Sequence, residues 1–394
     1  MKINTFTKKI TSKIFAPSNL KGNNHKIIIN KKSNKLIIFF SDINTIKNNF
    51  DFYEINALLD SNIIFINNGL NEWYQNAIPS LGSSFQNVLI KIKTWITYLN
   101  IKEVYTCGQG MGAYGAILYG LHLRDTKILA LSPEINLKQK DSNSFKYMKN
   151  PIYFDLHEII LNSKNNINMY AGEKNAFDIN QISQYNNILN FPNINIISIA
   201  DASHSLKNYF DKNKETCKVI QNFLNNEITS TVINEGFACS SVGFSDLYLI
   251  QTVSNKYKKW DESIHYGKEA IKIYPYCANS QYLLAVAYLR LNILDNALIH
   301  ASLARSILPT NLDYQFIIAN ILRRRGFLQK SKYLHHKILQ NNKQYAKSHY
   351  ELSLIYAKIG DKKNALARIN YARQLEPKNT SFKERAITFN KKFS

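Results

Sequence analysis

Residues 104–116 read VYTCGQGMGAYGA, a β-branched and apolar run followed by closely spaced glycines and small residues. This pattern predicts a strand, a tight turn flanked by glycines and a helix entered through small side chains. Gly110 stands at the tip of the turn, between Gly108 and Gly112. A side chain at that tip would stand on a strained corner above the sheet. We therefore take this strand-turn-helix corner as the candidate site.

Outward from the corner, short apolar runs alternate with longer amphipathic stretches up to about residue 225. The predicted strands are 26–30, 36–41, 62–67, 103–107, 127–132, 166–171 and 193–200. The helical patterns are 84–99, 112–124, 154–162, 179–189 and 205–225. Continuous apolar strands separated by helix-length segments are typical of a mostly parallel sheet covered on both faces. Residues 26–225 are therefore predicted to form an α/β domain after an N-terminal tail, 1–25.

Residues 226–245 are rich in Ser, Thr, Gly and Asn and predict a linker. Beyond it, residues 246–394 carry a repeat. Pro275, Pro309 and Pro377 are separated by 34 residues and then by twice 34, with Lys343 where the intervening proline would fall. Small residues recur with the same period and would let paired helices approach closely; they are Ser263, Ala297, Ser331 and Ala365, and Ala270, Ala304 and Ala372. The region resembles tetratricopeptide repeats, which implies an all-α superhelix that binds protein partners.

Residues 26–225 resemble the α/β-hydrolases, in which a sharp turn of the form Gly-x-Ser-x-Gly presents the nucleophile. A bacterial subgroup reads Gly-x-Ser-Met-Gly-Gly-Tyr at this turn, and the segments 67–69 (NNG), 73–74 (WY) and 129–133 (LALSP) stand at matching places. Gly110 stands where the family carries its serine. Since glycine has no side-chain oxygen, no acyl-enzyme can form there. A nucleotide site of the Gly-x-Gly-x-x-Gly kind fits less well, because the glycine spacing differs and no acidic residue closes a neighbouring strand.

The resemblance also implies a general base and an acid after the last strands. His204 lies where the family carries the base, and Asp178, or less convincingly Glu173, where it carries the acid. Backbone N–H groups of Met111 and Asn68 would form the oxyanion hole. The plain structural alternatives are a solvated loop histidine for His204, an N-cap of a helix starting at Ile179 for Asp178, and an unrelated glycine turn at Gly110.

Composition limits the class of protein. The 394 residues are 45% hydrophobic and 20% charged, which is ordinary for a globular protein of two or three domains. A net charge of +22 invites a polyanion partner, but no nucleic-acid-binding motif accompanies it, and lysine is abundant throughout. Four scattered cysteines do not make a disulfide framework. With no signal-peptide pattern and no transmembrane run, the expected location is cytoplasmic, with no metal or cofactor.

The sequence thus favours an adaptor: a hydrolase-like domain without its nucleophile, joined to a repeat that binds a protein, with acidic peptides as the candidate ligands. The resemblance suggests a role in surface-glycan biosynthesis, with a small acyl or glycan ligand in the hydrolase-like pocket. The second hypothesis is an active esterase or acyltransferase in which His204 activates water or another nucleophile. A third is a polyanion-binding protein driven by the lysines.

Overall fold

The computed structural model describes residues 21–186, 191–227 and 234–393. It divides into two compact units, 1–245 and 246–394. The expected tail up to residue 20, the end of the helical pattern 179–189 and the middle of the expected linker, 228–233, lie outside the described residues.

The first unit contains a nine-stranded sheet in the order β1-β2-β4-β3-β5-β6-β7-β8-β9. The strands are β1 Lys21–Gly22, β2 His25–Ile28, β3 Lys35–Phe40, β4 Asn62–Ile66, β5 Glu103–Gln109, β6 Lys127–Leu131, β7 Ile167–Gly172, β8 Ile194–Ile199 and β9 Glu235–Gly236. Neighbouring strands from β4 to β8 pair in parallel, whereas β1, β2 and β9 pair antiparallel at the edges. The prediction of a mostly parallel sheet followed by an all-helical region is confirmed.

The apolar strands are buried because helices cover the sheet. Leu36 to Phe40 in β3 and Ile63 to Ile66 in β4 are at most 1% exposed. The helices of this unit are α1 Phe85–Tyr98, α2 Met111–His122, α3 Asn143–Tyr147, α4 His157–Leu161, α5 Ala176–Ser183, α6 Leu206–Lys212 and α7 Thr216–Leu224, with a 3-10 helix at Tyr53–Leu58. The pattern 205–225, predicted as one helix, is two, since Lys214 has φ 60° and cannot continue an α-helix.

Part of the expected linker belongs to this unit. Glu235 and Gly236 form β9 and pair with Ile199 and Ser198 of β8. The carboxylate of Glu173 accepts hydrogen bonds from Ser198 Oγ at 2.8 Å and from the backbone N–H of Ala238 at 2.9 Å. Residues 235–238 are therefore fixed to the sheet rather than extended between domains.

The second unit is helical wherever the structure describes regular elements in it. The helices, the first of which begins just before the unit boundary, are α8 Phe244–Lys256, α9 Trp260–Ile273, α10 Ala278–Arg290, α11 Leu294–Ile307, α12 Leu312–Arg324, α13 Leu328–Asn341, α14 Ala346–Lys358, α15 Lys362–Leu375 and α16 Thr380–Phe393. Helix starts recur every 34 residues in two series. We call α8, α10, α12, α14 and α16 the first helices, and α9, α11, α13 and α15 the second helices.

Small residues hold each helix pair together, as the period predicts. Ser263, Ala297, Ser331 and Ala365 are fully buried, as are Ala270, Ala304 and Ala372 at a second repeating position, where the third repeat carries the larger, equally buried Ile338. Gly326 and Gly360 have φ +86° and +85°, a conformation that ends a first helix and turns the chain. Successive first helices, α10 with α12 and α12 with α14, contact one another directly. Among the described residues, no helix is both long enough and apolar enough to cross a bilayer.

Candidate functional site

The strand-turn-helix corner lies at the carboxyl end of β5. Gly110 has φ 54° and ψ −118°, a conformation that side-chain-bearing residues rarely adopt, and Met111 begins α2. Helix α2 packs closely on the sheet: a Cβ at Gly112 would lie 2.1 Å from the Phe40 carbonyl oxygen. One at Gly108 would lie 2.2 Å from the Gly112 carbonyl oxygen. The flanking glycines therefore permit the close approach that forms the corner.

The space beside Gly110 is filled by Asp42. A Cβ built on Gly110 would lie 2.5 Å from Asp42 Oδ1 and 3.0 Å from its Cγ. The Met111 N–H donates to the same oxygen at 3.0 Å, and the Ile43 N–H donates to it at 2.7 Å. Gln109 Nε2 lies 3.3 Å from Oδ2. The Asp42 carboxylate thus stands where a side chain at position 110 would stand, and it takes the backbone N–H that follows the corner.

Asp42 reaches this place because β3 lies beside β5 in the sheet, whereas β4 lies one strand farther out. Asn68, the other expected oxyanion-hole donor, follows β4, one strand farther from β5 than β3 is, and its pairing with Met111 stays a prediction. The buried Tyr74 hydroxyl donates to the Ser41 carbonyl at 2.6 Å. Sequence analysis did not single out Asp42; its signal, a polar residue directly after a buried strand, becomes meaningful only with the strand order.

The structure brings His204 and Asp178 together. His204 Nδ1 lies 2.9 Å from both carboxylate oxygens of Asp178. Asp178 is 2% exposed and sits in the first turn of α5 after β7, while His204 follows β8. The helix begins at Ala176 and is capped by Asn175, whose side chain accepts from the Phe177 N–H at 3.0 Å. The N-cap alternative for Asp178 is therefore wrong.

Glu173, the other candidate acid, is directed elsewhere. It is 1% exposed, and its carboxylate holds Ser198 and Ala238, as described above. A Cβ on Gly236 would lie 2.0 Å from Glu173 Oε1, so β9 lies directly against this carboxylate. Glu173 therefore anchors the edge of the sheet, and Asp178 is the carboxylate that orients His204.

His204 is surrounded by negative charge. Burial of the ring lowers its pKa, but the Asp178 carboxylate, through charge and hydrogen bond, and the carboxylates of Asp42 and Glu134 raise it to about 9. Burial raises the pKa of Glu134, whose Oε2 accepts from the Ser144 N–H at 2.7 Å. At neutral pH His204 is therefore an imidazolium held between carboxylates, with about a quarter of its side chain exposed.

A cavity of about 170 Å³ opens beside His204 and Asp178. Polar side chains predominate in its lining, and Glu134, Ser142 and Gln181 are among them. Gln181 Oε1 accepts from the backbone N–H groups of Ile135 and Asn136, both at 2.9 Å, and so ties the segment after Glu134 to α5. Within the described part of the chain, no three His, Cys, Asp or Glu side chains form a group that could hold a metal ion. The cavity has the size and polarity for a small hydrogen-bonding molecule.

Comparison with known proteins finds no matching family model and no matching curated protein. Among solved structures, the chain is similar to a thermophilic TPR protein of Thermus thermophilus (15% identity, TM-score 0.35, 47% of this chain and 94% of that one). It is also similar to YrrB, described as a TPR protein with an unusual peptide-binding site (14% identity, TM-score 0.34, 48% of this chain and 100% of that one). MamA from Desulfovibrio magneticus matches at 15% identity and TM-score 0.33, over 39% of this chain and 93% of that one.

Proposed function

We propose that this chain is an α/β-hydrolase-like protein without hydrolase activity, joined to a tetratricopeptide-like repeat that binds a protein partner. The strand order supports the first part, since a parallel sheet with the corner after β5, Asp178 after β7 and His204 after β8 follows the order of nucleophile, acid and base in that fold. His204 and Asp178 are in hydrogen-bond contact, as a base and its orienting acid would be.

The position of Asp42 is the main support for the proposal that the site does not hydrolyse esters. An ester-cleaving site needs a nucleophile and N–H donors for the oxyanion that develops in the transition state. Here residue 110 has no side chain, and the Met111 N–H is bound to a carboxylate. A fixed negative charge at that point repels an oxyanion.

The state of His204 argues against the water-activating alternative. A general base must be unprotonated to accept a proton, and efficient bases have a pKa near the working pH. The pKa of His204 is raised to about 9, so the ring is mostly protonated at pH 7. We infer that the dyad of His204 and Asp178 now orders the cavity for binding.

The polar cavity favours a glycan-type or other hydroxyl-bearing ligand over an acyl chain. Carboxylates such as Asp178 accept hydrogen bonds from hydroxyl groups, whereas an acyl chain would leave these polar groups unpaired. The resemblance to the bacterial subgroup suggests surface-glycan biosynthesis as the setting. None of the four cysteines forms a disulfide within the described residues, which suits a reducing compartment such as the cytoplasm.

The repeat unit supports the binding of a protein. Stacked helix pairs present an extended surface of first helices that no single pair could provide. The third hypothesis, general polyanion binding, lacks such a specific surface, because it rests on lysines spread along the whole chain.

Activity assays test the catalytic half of the proposal. The full chain and its His204→Ala variant are incubated with a fluorophosphonate probe and with p-nitrophenyl acetate, beside an active serine esterase as control. We expect no covalent labelling and identical background hydrolysis for both proteins. Labelling of the wild type, or hydrolysis that the His204→Ala substitution removes, would show an enzyme.

Crosslinking tests the binding half. The full-length protein, expressed in its host, is crosslinked and the linked peptides are mapped by mass spectrometry. We expect reproducible links to a partner protein to fall within residues 246–394. Links confined to residues 21–227 would place the partner on the first unit and contradict the proposal.

A further inference from the structure

A basic residue recurs at one position of every first helix, at or next to its carboxyl end. The residues, each 34 from the next, are Lys256, Arg290, Arg324, Lys358 and Lys392. We call this set the basic ladder. The second helices end instead on Ile273, Ile307, Asn341 and Leu375. Three of the second helices also carry a basic residue in their last turn, Lys272, Arg305 and Arg373, but these do not recur at one position of every helix as the ladder does.

The rungs are neighbours in space as well as in period. First helices α10 and α12 contact each other, and Arg324 Nη1 donates to the Leu289 carbonyl at 3.0 Å, beside Arg290. Partial burial lowers the pKa of Arg324, and the positive charges of Arg323 and Arg290 lower it further. The three central rungs, Arg290, Arg324 and Lys358, therefore lie on first helices that contact one another in turn.

Three rungs form no direct ion pair with any described residue, although the Glu351 carboxylate, which is paired with Arg323, also acts on Arg324. Among the described residues, Arg290, Arg324 and Lys358 form no ion pair with a carboxylate. The two arginines that flank Arg324 differ from it: Arg323 pairs with Glu351 at 2.5 Å and Arg325 with Asp295 at 3.1 Å. The row thus leaves positive charge available to a ligand at the positions that repeat.

Half-buried apolar side chains lie on the same helix face as each of these three rungs, one or two turns before it. On an α-helix, residues four and eight positions earlier share a face with the rung. At Arg290 these are Val286 and Tyr282, both half-buried. The equivalent half-buried residues are Asn320 and Phe316 for Arg324, and Leu354 and Tyr350 for Lys358. Each of these three helices therefore carries a half-buried aromatic side chain about 12 Å before its rung on the same face, and two of the three carry an aliphatic side chain one turn before it.

We propose that the basic ladder binds an extended acidic peptide of a partner protein, with a carboxylate at about every third residue. Packed helices lie about 8 to 10 Å apart, and an extended chain advances about 3.3 Å per residue, so three residues span one rung. This inference rests on the proposed function and supplies its partner chemistry.

The charge of the chain disfavours two other occupants. Residues 1–20 contain lysines and no acidic residue, so they would be repelled by the ladder. A second copy, with a net charge of +22, is a poor match for the same reason. A partner with concentrated negative charge complements the surface.

Fluorescence anisotropy with the full-length protein tests the ladder. The probe is a labelled thirteen-residue peptide with Glu at every third position and Leu or Ser between. Its comparison peptide has the same composition with the glutamates grouped in one block. An oligothymidine of equal charge serves as the nucleic-acid probe. We expect the every-third peptide to bind several-fold tighter than either of the other two.

The triple variant Arg290→Gln, Arg324→Gln and Lys358→Gln removes three rungs. We expect its Kd for the every-third peptide to rise about tenfold, or about 1.4 kcal/mol shared over three exposed ion pairs. A matched control removes the same charge from exposed residues of the second helices, through Arg305→Gln, Lys337→Gln and Arg373→Gln. Its Kd should stay within about twofold of wild type.

Three results would overturn the inference: equal weakening in the control variant, equal affinity for the grouped peptide, or tighter binding of the oligothymidine. If the peptides fail while crosslinks still fall within residues 246–394, the ladder is wrong and the proposed function stands. Crosslinks confined to the first unit would instead remove the proposed function itself.

Discussion

Substituting Gly110 by serine restores the residue that the fold expects, yet we predict that this change alone gives no reactive nucleophile. The new Cβ would lie 2.5 Å from Asp42 Oδ1, closer than van der Waals contact allows. Asp42 must therefore move and lose its hydrogen bond from the Met111 N–H, which for a charged acceptor is worth about 1.5 to 3 kcal/mol. A side chain at φ 54° costs a further amount of about 1 to 3 kcal/mol. We expect Gly110→Ser to lower the free energy of unfolding by about 4 kcal/mol.

The double variant Asp42→Ala with Gly110→Ser separates the two costs. Removing Asp42 relieves the contact and frees the Met111 N–H, so the double variant should be more stable than Gly110→Ser alone by about 2 kcal/mol. Urea unfolding followed by circular dichroism measures this difference. The single variant Asp42→Ala is measured in the same way and completes the double-mutant cycle.

The same variants are then labelled with a fluorophosphonate at pH 7 and pH 9. Only the double variant should react, and faster at pH 9, because deprotonated His204 is needed to activate the serine. The matched control, Asp42→Ala with Gly110→Ala, lacks the hydroxyl and should not react. If Gly110→Ser alone is as stable as wild type and is labelled as fast as the double variant, Asp42 does not obstruct the corner and the reasoning fails.

Two further predictions concern the charge on His204 and the close contact of α2 with the sheet. Asp178→Asn removes the main charge that raises the pKa of His204, so an NMR titration should show that pKa falling from about 9 toward the ordinary 6.5. The raised pKa of His204 stabilises the fold fully below pH 6.5, and this contribution is lost as the pH rises through 9. The wild type should therefore lose about 3 kcal/mol of unfolding free energy over that range, whereas Asp178→Asn should lose little. Equal losses in the two proteins would contradict the assignment of Asp178 as the main cause of the raised pKa. Gly112→Ala places a Cβ 2.1 Å from the Phe40 carbonyl oxygen, so it should lower the free energy of unfolding by more than about 3 kcal/mol or prevent folding. Gly326→Ala is the control: its φ is +86° and the space around it is open, so it should cost only about 1 kcal/mol. Similar melting temperatures for the two glycine variants would show that α2 tolerates a shift from the sheet.

Local sequence patterns predict most of the strands and helices, because each of these elements has its own pattern of apolar or small residues. Strands such as β3 are continuous apolar runs, and the 34-residue period places the second-unit helices through buried small residues such as Ala297. The break between α6 and α7 is not predictable in this way, since positive φ at Lys214 leaves no clear trace in the sequence. Residues 235–236 resemble a linker because a two-residue strand is recognisable only from its partner β8.

The candidate site is predictable in part for the same reason. His204 and Asp178 follow strands, and parallel strands end at a common edge, so chain order alone places them near one another. Asp42 and Asn68 also follow strands, and only the order β4-β3-β5 decides which of them reaches the corner. Strand order is a property of the whole sheet, and no local pattern reports it.

The fixed 34-residue spacing of the second unit also limits how its gene can change length. Recombination that duplicates or deletes one whole repeat, such as residues 312–345, keeps the first helices stacked on one another. It lengthens or shortens the basic ladder by one rung. An insertion of any other length inside a helix pair displaces the buried small residues and breaks the row of charges. Length variation among descendants of this gene should therefore come in steps of one repeat, with each step lengthening or shortening the acidic segment that the protein can hold.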